Sequence, residues 1–376
     1  MDANERECLR AWLLLLRTPG LGPAGLRERL AAAGGDAGRA LGQVRGEARG
    51  PARDWLERPD EARLAADLDW LAAPGHALLC CTEADFPPLL DTIPQPPAAL
   101  FVAGDPGLLL RPQVAVVGAR RASAAGQANS RRFARALAEA GFLVTSGLAE
   151  GIDGAAHAAA LEAGQPTAAV VGTGPDLVYP RRHRELAGRI VDHGALVSEY
   201  PPGTPARADH FPRRNRIIAG LALGTLVIEA GLQSGSLITA RLAAEQGREV
   251  FALPGSIHHP LASGCHQLIR DGARLVEQPA ELVELLAPAA RAMGAELAAR
   301  LAAADRRMEA ADAGSRARDP DYRRLLDALG HDPAGADELA ARTSLGAAAL
   351  SSMLLMLELE GRIESLPGNR YQRLPD

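Results

Sequence analysis

Between residues 114 and 276 the chain alternates short, unbroken apolar runs with amphipathic stretches of helical length, and that rhythm admits few folds. The runs fall at 114–117, 142–145, 168–171, 195–197, 225–228 and 249–253. They are continuous rather than alternating apolar with polar, the pattern of strands buried on both faces of a parallel sheet. Helical stretches lie between them at 123–140, 151–163, 184–193, 213–221 and 237–246. A β-α-β-α succession of this kind predicts the α/β class, with a Rossmann-like, doubly wound, mostly parallel sheet.

The flanks have a different texture. Residues 1–75 read as a helical domain in which Thr18-Pro19-Gly20-Leu21-Gly22-Pro23 interrupts two apolar helical patterns. That turn is either an inert connector or the turn of a helix-hairpin-helix (SAM-like) domain, which offers backbone N–H groups to a phosphate. The sheet domain is expected over 76–288, beginning with a Pro-rich connector around Phe86-Pro87-Pro88 and Pro96-Pro97. An Ala-rich, charged helical linker follows over 289–317. Residues 318–376 then carry three short helical patterns, at 322–329, 336–342 and 350–360, and a hairpin around Pro367-Gly368-Asn369. Three helices and a hairpin predict a winged helix. Its recognition helix, 347–360, is apolar and acidic, which speaks against major-groove docking and for a protein contact or core packing.

Composition narrows the chemistry. Lys and Arg together number 41 in the 376 residues, and every one of them is Arg. The chain therefore has no Walker A lysine, no Schiff-base lysine and no lysine nucleophile. The net charge of −5 supplies no global field for nucleic acid, so any such site must be a local Arg patch. Cys8, Cys80, Cys81 and Cys265 have neither disulfide-framework nor zinc spacing, and no metal or cofactor is expected. The first long apolar run, 11–16, is far too short to span a bilayer, and no cleavage site follows it. A cytoplasmic protein with no membrane partner is expected.

Ligands of open α/β sheets bind outside the carboxyl ends of the strands. Here those ends are rich in small residues: Gly118 after the first run, Ser146 and Gly147 after the second, Gly172 and Gly174 after the third, Gly235 and Ser236 after the fifth. Four such turns on one edge predict a phosphate-binding face. Arg120 stands where a dinucleotide fingerprint needs glycine, so a redox dinucleotide is excluded. Two Arg clusters flank the edge. One is Tyr179-Pro180-Arg181-Arg182-His183-Arg184; the other, His210-Phe211-Pro212-Arg213-Arg214-Asn215-Arg216, adds a ring on which a base can stack. Each is otherwise a solvated helix start. Catalytic sets are thinner. Asp153 and His157, four apart, form either an acid–base pair or a dipole-favoured Asp bonded to its His. Glu199 and Glu229 at strand ends suit action on a ribosyl bond, or structural pairing with Arg. Ser234 and Ser236 have only His258 and His259 nearby in sequence.

These motifs together resemble the DNA-processing protein A (DprA/Smf) family. The resemblance rests on Val-Gly-Ala-Arg (117–120), Ser-Gly-Leu-Ala-Glu-Gly-Ile-Asp-Gly-Ala-Ala-His (146–157), Gly-Thr-Gly-Pro-Asp-Leu-Val-Tyr-Pro (172–180) and Ser-Glu-Tyr-Pro-Pro-Gly (198–203). It extends through Phe-Pro-Arg-Arg-Asn-Arg-Ile-Ile-Ala-Gly (211–220), Glu-Ala-Gly-Leu-Gln-Ser-Gly-Ser-Leu-Ile-Thr-Ala (229–240) and Val-Phe-Ala-Leu-Pro-Gly (250–255). His183 is a departure, where the family commonly has Asn. The resemblance implies a non-enzymatic protein that binds and protects single-stranded DNA, helps load RecA recombinase in natural transformation, and dimerises through its Rossmann-like domain. It implies DNA contacts at Arg120, Phe211, Arg213, Arg216 and the Gly235-Ser236 turn. The glycine-rich edge (Gly118, Ser146, Gly147, Gly172, Gly174) with Arg181 then becomes a cradle for DNA phosphates. The rivals are a nucleoside-phosphate hydrolase using Glu199 or Glu229, and a double-strand DNA regulator acting through the winged helix.

Overall fold

The computed structural model describes residues 3–330, 332–359, 362–367 and 370–374, which form two compact units, 1–295 and 296–376. The first unit opens with five helices: α1 (Ala3–Leu16), α2 (Pro23–Ala32), α3 (Ala37–Glu47), α4 (Gly50–Glu57) and α5 (Glu61–Ala72). Asp36 and Asp60 cap α3 and α5 by accepting backbone N–H bonds at 2.9 and 3.0 Å. Leu13, Leu15, Leu26, Leu30 and Leu64 close a core of their own. Arg17 fixes this bundle from the inside: it grips the buried Asp67 at 2.6 Å and donates to the Pro202 carbonyl at 2.8 Å.

The sheet begins earlier than the apolar rhythm implied. A hairpin of β1 (His76–Cys80) and β2 (Ala99–Gly104) brackets the Pro-rich stretch, which contains one short turn of helix, α6 (Pro88–Asp91). Then come β3 (Gln113–Val117), α7 (Ala124–Glu139), β4 (Leu143–Ser146), α8 (Ile152–Glu162), β5 (Thr167–Val171), α9 (Arg184–His193) and β6 (Ala195–Ser198). The chain continues through α10 (His210–Leu221), β7 (Gly224–Val227), α11 (Gly235–Glu245), β8 (Glu249–Ala252), α12 (Ser263–Arg270) and β9 (Arg274–Leu275). The nine strands lie in the order β1-β2-β6-β5-β4-β3-β7-β8-β9. All pairs from β6 to β9 are parallel; β1–β2 and β2–β6 are antiparallel.

Alternate residues of each central strand serve opposite cores. Val114 and Val116 pack with Phe133, Leu137 and Ile152 from α7 and α8. Ala115 and Val117 pack with Ile217, Ile218 and Leu221 from α10. This two-sided burial is why the strands read as unbroken apolar runs. The direction of winding reverses at β3, whose neighbours are β4 on one side and β7 on the other.

A 40-residue helix, α13 (Pro279–Arg318), tolerates Pro288 and covers the expected linker. The second unit holds α14 (Pro320–Leu329), β10 (Ala334–Gly335), α15 (Ala336–Thr343), α16 (Ala347–Leu359), β11 (Ile363–Leu366) and β12 (Arg370–Arg373), a winged helix. Leu350, Met353, Leu354 and Leu357 turn one face of α16 into its core. Glu360 of the expected recognition helix, and Gly368 and Asn369 of the expected hairpin turn, lie outside the described residues. Among the described residues, no single helix is long and apolar enough to cross a membrane, and no three His, Cys, Asp or Glu cluster as metal ligands.

The sequence allowed His157 to bond Asp153, and the structure corrects that. His157 is fully buried, and its Nδ1 lies 2.7 Å from the Thr167 hydroxyl. That hydroxyl spends its one proton on the Val144 carbonyl at 2.6 Å, so Nδ1 carries the ring proton and Nε2 is left bare and buried. Burial, with His183 and Arg214 nearby, lowers the His157 pKa from 6.5 to about 3. Below pH 6.5 the unfolded chain takes up a proton that the folded chain refuses, so stability falls as pH drops from 6.5 towards 3. This one group contributes up to about 1.4 kcal/mol per pH unit in that window. His157→Asn is expected to show a shallower acid loss in urea titrations between pH 6.5 and 4. Equal slopes in parent and variant would refute it.

Candidate nucleic-acid interface

The reversal at β3 opens a crevice at the carboxyl edge, as open α/β sheets do. A cavity of about 870 Å³ lies there, between the turn after β3, the turn after β7 and the start of α10. Its floor needs glycine at 118, because a Cβ there would sit 2.6 Å from the Ile152 side chain and 2.9 Å from the Glu229 carbonyl. On the β7 side, Ser234 caps α11 by accepting from the Ser236 N–H, its hydroxyl lies 2.7 Å from that of Ser236, and Ser234, Gly235 and Ser236 line the cavity. Glu229, in the same turn after β7, ties that turn to the one after β3. Its carboxylate accepts from the Ser123 hydroxyl at 2.5 Å and the Ser123 N–H at 2.9 Å.

Aromatic and cationic groups meet at the mouth. The Phe211 ring lies against Tyr179, with centroids 5.3 Å apart and a 42° tilt, and the exposed Arg120 guanidinium sits 5.8 Å from the Phe211 centroid. That is cation–π range. Of the residues expected at the site, Gly118, Arg120, Phe211, Gly235 and Ser236 line this one cavity. Tyr179 and Asn215 of the two clusters join them, as do Arg121 and Arg207, which the sequence had not marked.

Four expected cradle residues do something else. Ser146 is buried, and its hydroxyl donates to the Val116 carbonyl at 2.6 Å. Leu148 takes φ +56°, which curls the loop so that the Gly147 and Ala149 N–H groups both point at the Asp153 carboxylate, at 3.1 and 3.3 Å. The loop is an anion nest whose anion is the protein's own. The Gly172 carbonyl accepts from the His210 ring at 3.0 Å, and the Gly174 N–H donates to Thr204 at 2.8 Å. These backbone groups are spent on shaping the edge.

Beneath the cavity lies Arg214, only 5% exposed. Its guanidinium donates to the carbonyls of Gly147 (2.7 Å) and Val170, and to Asn215 Oδ1 (3.0 Å). Gly147 must lack a side chain for this, since a Cβ would lie 2.4 Å from that guanidinium. Burial lowers the Arg214 pKa to about 10, opposed by the nearby Asp153 charge. Burial likewise raises the Asp153 carboxyl, opposed by Arg214 and the two N–H donors.

Arg213 and Arg216 face a second cavity, of about 530 Å³, shared with Tyr200 and with Leu21 and Pro23 of the α1–α2 turn. Arg213 is exposed, whereas Arg216 is bound to Glu199 at 2.6 Å with both side chains 12% exposed. The charge expected of Arg216 is therefore already balanced, and Glu199 is a structural carboxylate. Arg181 is exposed but lines neither cavity; its neighbour Arg182 pairs with Glu150.

Comparison with known proteins accords with this architecture. The family described as DNA recombination-mediator protein A matches residues 77–287, and the DprA winged helix domain matches 309–369. Protein Smf of Escherichia coli (strain K12) is 42% identical over 324 residues, which cover 86% of this chain and 84% of that protein. The chain belongs to the DprA/Smf family. DNA processing protein DprA of Streptococcus pneumoniae is 49% identical over 187 residues, 50% of this chain and 66% of that one. The solved structure of DprA from that organism matches with a TM-score of 0.66 at 37% identity, covering 73% of this chain and 97% of that one. A Helicobacter pylori DprA structure, reported for its single-stranded DNA binding mode, gives a TM-score of 0.52 at 28% identity, covering 57% and 96%.

Within this DprA/Smf sheet, adjacent arginines should behave oppositely. Arg214→Ala leaves two buried carbonyls unpaired and strips Asp153 of its nearby cation, a loss of about 3 kcal/mol or more in urea unfolding. Arg213→Ala, at an exposed site, should stay within about 0.5 kcal/mol of the parent. Similar losses at the two positions would contradict the assignment.

Proposed function

We propose that this protein binds single-stranded DNA in the crevice at the β3 switch point, as a recombination mediator of its family. The observation that carries the proposal is the mouth itself, where Arg120 lies over Phe211 and Phe211 lies beside the half-exposed Tyr179. Flat rings let any base stack, and a guanidinium supplies charge for the backbone; together they make a sequence-tolerant single-strand site. The single-stranded DNA binding mode described for the H. pylori relative supports the same reading here.

The finer parts of the proposal follow the family: protection of incoming or exposed single strands, transfer to RecA recombinase during transformation, a homodimer through the sheet domain, and a cytoplasmic location. The domain limits 1–75, 76–288, 289–317 and 318–376 belong to the same proposal. The hydrolase reading draws no support from the carboxylates, because Glu229 is tied to Ser123 and Glu199 to Arg216.

Fluorescence anisotropy across a salt series tests the site. Arg120→Ala and Arg213→Ala should each flatten the plot of log affinity against log salt by about 0.7. Arg216→Ala should barely change that slope, since its charge faces Glu199. Phe211→Ala should cost roughly 1–3 kcal/mol per stacked base with the slope retained. Parent-like binding in both Arg120→Ala and Arg213→Ala would place the DNA elsewhere. Incubation with nucleoside monophosphates should release no base; release abolished by Glu229→Gln would favour the hydrolase.

A further inference from the structure

We propose that a second cleft, on the far side of the Arg120–Arg121 ridge, binds phosphate and carries the backbone of a single strand beyond the Phe211 cavity. This rests on the single-strand reading above and extends its footprint. The cleft has a volume of about 600 Å³ and is lined by Arg120, Arg121, Arg131, Arg182, Glu150 and His183, among others. Four guanidinium groups face one carboxylate there, in a chain whose net charge is −5. Such a local excess is what a polyanion requires of an acidic protein.

Arg120 and Arg121 line both this cleft and the Phe211 cavity, so the two are continuous around the ridge. The ridge is fixed in place. The Ala119 N–H donates to the Glu229 carbonyl at 2.7 Å, and the Ile152 N–H donates to the Ala119 carbonyl at 3.3 Å. Gly151 takes φ +76°, and a Cβ there would come within 2.3 Å of the Ala119 oxygen. Backbone packing this close fixes where the chain of Arg120 and Arg121 runs, and their exposed side chains stand between the cavities.

The division of chemistry points to phosphate. The Phe211 cavity offers rings, while the lining of the second cleft has no Phe, Tyr or Trp on which a base could stack. The carboxylates in and beside it, Glu150 and Glu162, tune rather than cancel the charge. Glu150 pairs with Arg182, and Glu162 reaches Arg131 only at 3.7 Å with both side chains about half exposed. Exposed pairs of this kind hold weakly and exchange readily for a phosphate.

The test compares oligo-dT of about 4 and about 16 nucleotides, lengths that span known single-strand footprints. The double variant Arg131→Ala/Arg182→Ala should flatten the salt slope for the long strand by about 1.4. That makes its affinity loss between 50 and 200 mM salt roughly sevenfold smaller than the parent's. The short strand should be unaffected, with or without a 5′-phosphate. Glu150→Gln should tighten the long strand only. Both exposed arginines lie outside the core, so the variants should fold. Unchanged slopes at both lengths would overturn the proposal, as would equal losses at both. An effect confined to the 5′-phosphorylated short strand would overturn it in favour of a terminal-phosphate site. A parent that bound neither length would overturn the single-strand reading and this one together; a parent that binds both, beside an unaltered double variant, overturns the second cleft alone.

Discussion

One buried guanidinium organises the carboxyl edge of this sheet. Arg214 leaves α10 and reaches under the crevice to the ends of β4 and β5, where it holds the Gly147 and Val170 carbonyls. Taking a charge from water costs several kcal/mol, and only a full set of partners offsets it. Here the carbonyls, Asn215 and the neighbouring Asp153 form that set. Asp153 in turn gathers the N–H groups of the loop after β4. Two strand ends, the start of α8 and α10 are thereby locked to one another. Phe211 and Arg213 on that same first turn of α10 inherit a fixed position, which a stacking platform needs.

The sheet was legible where burial is two-sided and illegible where it is not. The runs of β3 to β7 stand out because both faces are covered, and the threonines that fall in them, Thr145 and Thr225, are buried with the rest; in β8 only Phe251 and Ala252 are covered. The hairpin β1–β2 was hidden by the prolines between its strands, which suggested a connector. The two-residue edge strand β9 is exposed and carries almost no pattern. Only pairing with a neighbour makes these segments strands, and pairing is not a local property.

The candidate site was legible in its chemistry and only partly in its geometry. Phe211 was singled out because a ring among arginines at a helix start suits a stacked base, whereas Arg120 entered as a candidate contact through the family resemblance. Glycine reports backbone freedom and not which anion the backbone embraces. At Gly147 that anion is Asp153, six residues along the same chain. Arg214 carried a readable signal. With His210, Ile217, Ile218 and Leu221 it falls on the helical i, i+4, i+7, i+8, i+11 face that proved buried. An arginine on the apolar face of a helix is an internal clamp, while Arg213, one residue earlier and about 100° around the axis, points to solvent.

The absence of lysine gives this arrangement its character. A lysine in place of Arg214 would present a compact ammonium where a planar fork must reach two carbonyls on separate strands. A lysine in place of Arg120 would keep the charge over Phe211 but lose the flat face that lies against an aromatic ring. Guanidinium groups thus perform two opposite tasks within this edge. Arg214, buried and bonded to two carbonyls and Asn215, ties the edge together; Arg120 is exposed and set over a ring. The buried one holds the ends of β4 and β5 to α10, the helix that carries Phe211 and Arg213.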